Sequence, residues 1–402
     1  MQADDKTVVY VNSQAAFDDC LATLAQSSLL AMDTEFERER TFYPKMGLLQ
    51  LADEHSCYLI DPQAIPNWKQ PFTALLQTPT IHFILHAASE DLNLLLCTLN
   101  CLPRKLIDTQ LAAALLGEGY SLGYRALVET FFGVTLDKGE TRSNWLKRPL
   151  TEKQLLYAAL DVVYLHRLWQ QFAERLQEKG DNRLAWLDEE CNRMLGTATA
   201  SESSERWEEM YAEIGGAWTL SDAELRTLQR LCNWRETIAR EKDLPRYWIC
   251  KDNDLIGLTR LHHQQPDAEI TERFVEEHLT EGSPDIDRRF LRRYGKTINK
   301  LLAAADETLK PVDRSLLKPP TPKAMRSTLK SSLKSCQQVV AERGEVLGIA
   351  PELLGSKRHL LQLLHQLNNR GMQAWPGVFA GWRAEVLADK LLPILQKVSE
   401  KQ

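Results

Sequence analysis

The stretch LLAMDTEFERER, residues 29–40, sets an apolar strand against two acids. Leu29, Leu30, Ala31 and Met32 read as the buried part of a strand that runs straight into Asp33 and Glu35. Side chains alternate along a strand, so positions i and i+2 stand on the same side. Two carboxylates therefore share one face at the end of an apolar strand. Like charges side by side repel, and a poorly solvated anion is costly unless something positive offsets it. A strand built this way calls for a cation.

Outward from that strand, strand and helix signals alternate. TVVYV (7–11), GLLQLA (47–52), CYLID (57–61) and IHFILHA (81–87) read as further strands. A helix is expected near WKQPFTALLQ (68–77), and another over SEDLNLLLCTL (89–99) with Ser89 as its N-cap. LIDTQLAAALLG (106–117) reads as a short strand, a cap at Asp108 or Thr109, and a helix. Early neighbouring strands interleaved with helices define an α/β layer.

From Thr151 the pattern turns helical. The long run 151–179 opens with Thr151 and Gln154 in capping-box spacing. GTATASESSE (196–205) is small and polar and reads as a linker, and helical patterns resume at DAELRTLQRLCNWRETIARE (222–241). A proline-bearing stretch interrupts them before a final helical segment from about residue 324. The opening helices of these two later segments share an apolar pattern and a basic tail, a hint of duplication.

Composition bounds the answer. A chain of 402 residues with 44% hydrophobic and 26% charged residues is an ordinary globular protein of two or three domains. No apolar run approaches the length of a membrane span. The N-terminus, MQADDKTVVY, has acids where a signal peptide needs bases, so a cytoplasmic protein is expected. The eight cysteines show no paired metal-ligand spacing, which fits reduced structural thiols. A net charge of −6 argues against binding nucleic acid by overall attraction. Local clusters differ: residues 288–300 hold six bases and no acid, and residues 318–334 hold five bases and no acid.

The helical run carries a second oddity. Tyr157 and Asp161 stand four apart on one face, among Leu155, Leu156, Ala158, Ala159, Leu160, Val162 and Val163. Such a helix is expected to be largely buried, and an Asp inside it needs a partner. Asp91 lies in the first turn of a helix, where the macrodipole alone would favour it, and Asp108 has the same structural explanation. Taken together, acids at a strand end, at a helix start and inside a buried helix can converge on one point. Carboxylates without cysteine select hard cations such as magnesium or manganese. Two such ions about 4 Å apart stabilise both oxygens of a phosphodiester displacement.

These same segments resemble a known family. MDTEFERERTFYPKMGLLQLA (32–52), HAASEDLNLL (86–95) and YAALDVVYL (157–165) resemble the three exonuclease motifs of the DEDD superfamily, and a Tyr four residues before the last Asp resembles its tyrosine subclass. VTLDKGETRSNWLKRPLTEKQLLYAALDVVYL (134–165) is similar to the ribonuclease D family. DLPRYWICKDNDLIGL (243–258) resembles the middle of an HRDC domain, and GWRAEVL (381–387) resembles that family's closing helix. The resemblance spans essentially the whole chain and is strongest from Asp33 to Leu165.

The resemblance implies an α/β RNase-H-like exonuclease domain, a mixed sheet flanked by helices, over residues 1–195. Two small all-α HRDC-type helical domains would follow, at 214–300 and 318–402. It implies a metal-dependent 3'-to-5' exoribonuclease that releases 5'-mononucleotides and processes the 3' ends of precursor tRNAs in the cytoplasm, without membrane or obligate protein partner. Asp33, Glu35, Asp91 and Asp161 would hold two Mg2+ or Mn2+ ions, and Tyr157 would position the attacking water and help remove its proton. Arg289, Arg292, Arg293 and Lys296 are candidate RNA contacts, while Lys138, Arg142 and Arg148 are read equally well as surface charge. One rival is an exonuclease acting on DNA with the same metal chemistry. The other is a noncatalytic nucleic-acid-binding scaffold, which has no need of four poorly solvated acids.

Overall fold

Among the described residues the strand patterns assemble into one mixed sheet. The computed structural model describes all residues except 1, 4, 138, 181, 279–285, 305–308, 318–322, 371–374, 376 and 400–402. The strands are β1 (Gln2–Ala3), β2 (Lys6–Val11), β3 (Leu29–Glu37), β4 (Lys45–Ala52), β5 (Ser56–Ile60), β6 (His82–Leu85) and β7 (Leu106–Asp108). Their order is β1-β2-β5-β4-β3-β6-β7. β3 is interior, antiparallel to β4 and parallel to β6. Helices α1 (Gln14–Leu24), α2 (Lys69–Leu76), α3 (Ser89–Leu99), α4 (Thr109–Leu116), α5 (Tyr124–Phe132), α6 (Glu152–Val163), α7 (Leu165–Glu178) and α8 (Arg183–Ser201) accompany it. No described helix is long and apolar enough to cross a membrane.

The chain divides into two compact units, Met1–Glu37 with Lys45–Ala198 and Pro322–Gln402, and Arg38–Pro44 with Thr199–Thr321. The second unit contains α9 (Ser204–Glu208), α10 (Asp222–Glu241), α11 (Arg246–Ile249), α12 (Asp252–Gln264), α13 (Glu272–His278) and α14 (Arg288–Ala303). Its core gathers Leu225, Leu228, Leu231, Leu255, Leu258 and Ile298, with Phe42 from the short early segment. The final helices, α15 (Lys323–Leu347), α16 (Pro351–Gly355), α17 (Lys357–Arg370) and α18 (Trp382–Ser399), belong to the first unit and share its hydrophobic core.

Three local expectations change. The run from Thr151 is not one helix: it breaks at Tyr164 into α6 and α7. The cause is an inserted side chain. The Tyr124 hydroxyl donates to the Leu160 carbonyl (2.9 Å) and accepts from the Tyr164 amide (3.3 Å), taking the place of the bond those two groups would make in a continuous helix. The capping box of Thr151 and Gln154 is present as expected, but Leu156 is 41% exposed. The small polar stretch from residue 196 is not a linker throughout. Helix α8 continues to Ser201, and Thr197 satisfies its hydroxyl on the Arg193 carbonyl (2.8 Å) within the helix. Finally, α3 is capped by Ala88 rather than Ser89. Fully buried Asp108 holds the Ala88 amide on one carboxylate oxygen (2.9 Å) and caps α4 with the other, which accepts from the Gln110 and Leu111 amides (2.8 and 3.2 Å).

A buried ionic knot ties the last helices to α8. Glu190 (6% exposed) accepts from the Trp382 indole (2.7 Å) and from both terminal nitrogens of Arg383 (4% exposed). Trp382 stacks on Trp186 with centroids 4.8 Å apart. Removing one member of a buried pair strands the other charge, at about 3–5 kcal/mol. Glu190→Gln should therefore lower stability by that order, read as a shifted urea midpoint with accelerated proteolysis of the C-terminal helices. An unchanged midpoint would show that the knot contributes nothing.

Candidate active site

Of the four acids singled out as ligands, the first unit brings Asp33, Glu35 and Asp161 into one close group, and Asp91 stands outside that group on Thr34. Asp33 and Glu35 stand opposite Gln50 and Leu48 of β4, and the register then slips between Glu35 and Phe36, a bulge that ends regular pairing where the acids stand. Gly47 lies at this slip. A Cβ there would come within 2.6 Å of the Trp145 carbonyl oxygen, so only glycine lets that backbone approach. Thr34 points the other way along the strand and donates to Asp91 in the first turn of α3. Asp161 comes from the last turn of α6, next to the break that Tyr124 makes. Carboxylate oxygens of Asp33, Glu35 and Asp161 lie within 4.8 Å of one another. Tyr157, one turn earlier on α6, has its hydroxyl 3.2 Å from Thr141 Oγ1, and its ring packs 6.0 Å from Trp145.

Burial sets the electrostatics, and crowding adds to it at Asp33 and Glu35. Burial, then the charges of Asp91, Asp161 and Glu35, push the Asp33 carboxyl well above its ordinary range. Burial followed by Asp161 and Asp91 pushes Glu35 up to about 9, with Arg125 opposing. Burial raises Asp91 to about 7 against the hydrogen bond from Thr34. Burial likewise raises Asp161 to about 7 against Arg125 and the Tyr157 hydroxyl. Tyr157 itself is raised, by burial and then by Asp161. Four acids that prefer protons are four acids waiting for a stronger positive charge. An all-oxygen donor set with three oxygens this close fits a hard divalent cation.

Several residues at the site escaped the sequence reading. Arg125, in the first turn of α5, places its guanidinium 5.1 Å from the Tyr157 ring centre. Tyr124 beside it sets the helix break. Gln50, fully buried and in register with Asp33, has an amide without a hydrogen-bond partner among the described residues. Only the glycine before α5 hinted at a helix start there. Of the basic positions considered, Arg148 is consumed by the fold: it grips Asp61 through two nitrogens (2.6 and 2.7 Å) and donates to the Gly47 carbonyl (2.6 Å). Arg142 is exposed, and Lys138 and Lys318 lie outside the described residues. Arg289, Arg292, Arg293 and Lys296 belong to the second unit, exposed on α14 opposite a stripe of Phe290, Leu291, Tyr294 and Ile298. The run is less positive in space than in sequence, because Arg288 and Arg292 pair with Glu276 and Glu272 of α13 (2.6 and 2.9 Å).

Comparison with known proteins agrees with this geometry. Residues 8–177 match the 3'-5' exonuclease family model, which places the first unit's sheet and acids in the class of exonucleases. Residues 224–267 match the HRDC domain, and residues 328–391 match the ribonuclease D C-terminal HRDC domain. The chain is 37% identical over 384 residues to ribonuclease D of Shewanella sp. (strain ANA-3), covering 95% of this chain and 92% of that one. It is 35% identical over 389 residues to ribonuclease D of Escherichia coli K12, covering 94% and 97%. The crystal structure of Escherichia coli RNase D, described as an exoribonuclease involved in structured RNA processing, superposes with a TM-score of 0.79 at 31% identity, covering 97% and 99%. The chain belongs to the ribonuclease D family and is an exoribonuclease by that membership. The scaffold reading falls with it.

The raised carboxyls make a stability prediction. Unfolded Asp and Glu titrate near 4, and these groups titrate near 7 to 9 when folded. The folded state thus binds more protons between those limits. The stability they contribute is full below about pH 4 and lost as pH rises through 7 to 9. In EDTA, the melting temperature should fall from pH 6 to pH 9, and Asp33→Asn should flatten that fall. A steeper fall in the variant would contradict the crowding.

Proposed function

We propose that the chain is a metal-dependent 3'-to-5' exoribonuclease that releases 5'-mononucleotides and trims the 3' ends of precursor tRNAs. The observation that carries this reading is the approach of the Asp33, Glu35 and Asp161 oxygens to within 4.8 Å, with Tyr157 one turn from Asp161. Asp33, Glu35, Asp91 and Asp161 would hold two magnesium or manganese ions. Bound there, the ions supply positive charge for the attacking and leaving oxygens and make water acidic enough to attack near neutrality.

The protein's own groups do the positioning. Tyr157 keeps its proton at neutral pH because burial and Asp161 raise it, so its hydroxyl orients the attacking water rather than deprotonating it. Trp145 and Arg125 both pack on the Tyr157 ring. Asp161 is set by the break after α6. The Arg289, Arg293 and Lys296 face of α14 would contact RNA phosphates, with Arg292 available once Glu272 releases it. Working domain limits are 1–195, 214–300 and 318–402, and the cytoplasm is the working location. An RNA rather than DNA substrate is favoured by family membership, since the metal chemistry suits both.

A 3'-labelled single-stranded RNA tests the reading. Mononucleotide release that stops with EDTA supports it, and a faster reaction on matched DNA would move the substrate class. Tyr157→Phe fills nearly the same volume and loses only the hydroxyl. Its single-turnover rate should drop by roughly 10²-fold with RNA affinity and melting temperature near wild type. A Phe variant as fast as wild type removes Tyr157 from the mechanism.

A further inference from the structure

Arg125 is oddly placed for a structural residue. It sits in the first turn of α5, where the helix dipole disfavours a cation. Among the described residues no salt bridge ties it to a carboxylate. Yet it is half-buried, its guanidinium rests on the Tyr157 ring at 5.1 Å, and its charge opposes the upward shift of both Glu35 and Asp161. A cation that faces the acids without pairing to them is held for another anion.

Charge counting identifies that anion. This step rests on the metal-site reading above. With the acids ionised and no metal present, Arg125 is a partial counterion. Two divalent ions would cancel the charge of the four carboxylates, so that the same guanidinium would face a cluster of no net charge and be left without a counterion. A phosphodiester arriving at the ions restores the balance, and a planar fork of N–H donors fits phosphate oxygens better than any other side chain. We propose that Arg125 is a ligand for the substrate phosphate, switching from the carboxylates to that phosphate when metal and nucleotide occupy the site together.

The proposal has a signature with opposite signs. Arg125 opposes metal binding when no nucleotide is present and strengthens nucleotide binding when metal is present, as linkage between the two requires. Arg125→Met keeps the stem over Tyr157 and removes only the charge. In the full-length protein, calorimetry with Mn2+ alone should show equal or tighter metal binding in this variant. With Mn2+ saturating, 5'-AMP, which carries the product's phosphate, should bind at least tenfold more weakly. Arg125→Lys keeps the charge without the fork, so it should restore wild-type Mn2+ affinity while recovering only part of the 5'-AMP affinity. An Arg125→Met protein that binds 5'-AMP within twofold of wild type, or that loses Mn2+ and 5'-AMP affinity together, overturns the assignment while leaving the metal site standing. A wild-type protein that binds no Mn2+ overturns both.

Discussion

The poor solvation of Asp33, Glu35, Asp91 and Asp161, sharpened at Asp33 and Glu35 by the neighbouring acids, is the constraint around which the first unit is arranged. The four acids come from three kinds of position: Asp33 and Glu35 from one interior strand, Asp91 from the first turn of α3, and Asp161 from the last turn of α6. None is placed by favourable contact with the others. Burial first, and for Asp33 and Glu35 the neighbouring acids as well, pushes their carboxyls above the ordinary range, to about 9 for Glu35 and about 7 for Asp91 and Asp161. That cost is borne by the apolar core below, where Leu30, Ala31 and Met32 of the same strand are fully buried.

Two backbone irregularities give the site its shape. The register slip beside Glu35 lets Trp145 approach Gly47 closely, and Trp145 in turn backs Tyr157. The Tyr124 hydroxyl replaces a helical hydrogen bond between Leu160 and Tyr164, which ends α6 just after Asp161. Both spend regular secondary structure to aim a side chain. The irregularities themselves adjoin Glu35 and Asp161, but the side chains that meet them, Trp145 and Tyr124, come from segments distant in sequence from Glu35 and Asp161 respectively.

This separation explains what the sequence could and could not disclose. Asp33 and Glu35 were legible because strand alternation puts i and i+2 together whatever the rest of the chain does. Tyr157 and Asp161 were legible for the helical equivalent, and Asp108 showed its capping role through local spacing. Asp91 needed the motif resemblance, since an acid in a first turn has a sufficient local explanation. Arg125, Tyr124 and Gln50 carried no periodic signal; their roles exist only once α5 and β4 are packed against β3 and α6. The helix break at Tyr164 was invisible for the same reason, because a distant hydroxyl causes it. The C-terminal helices read as a separate module, yet a buried Glu190–Arg383 pair, formed by residues 193 apart, places them in the core of the first unit.

The central claim is that these carboxyls hold protons which a divalent ion displaces. Titrating Mn2+ into the wild-type protein at pH 7, in two buffers of different ionisation enthalpy, measures that exchange directly. With Glu35 titrating near 9, Asp33 raised well above its ordinary range, and Asp91 and Asp161 near 7, ion binding should release protons in net amount, and the release should shrink by pH 9. Mn2+ binding with no proton released at pH 7 would mean the acids were already ionised, and the account of a crowded, cation-demanding site would be wrong.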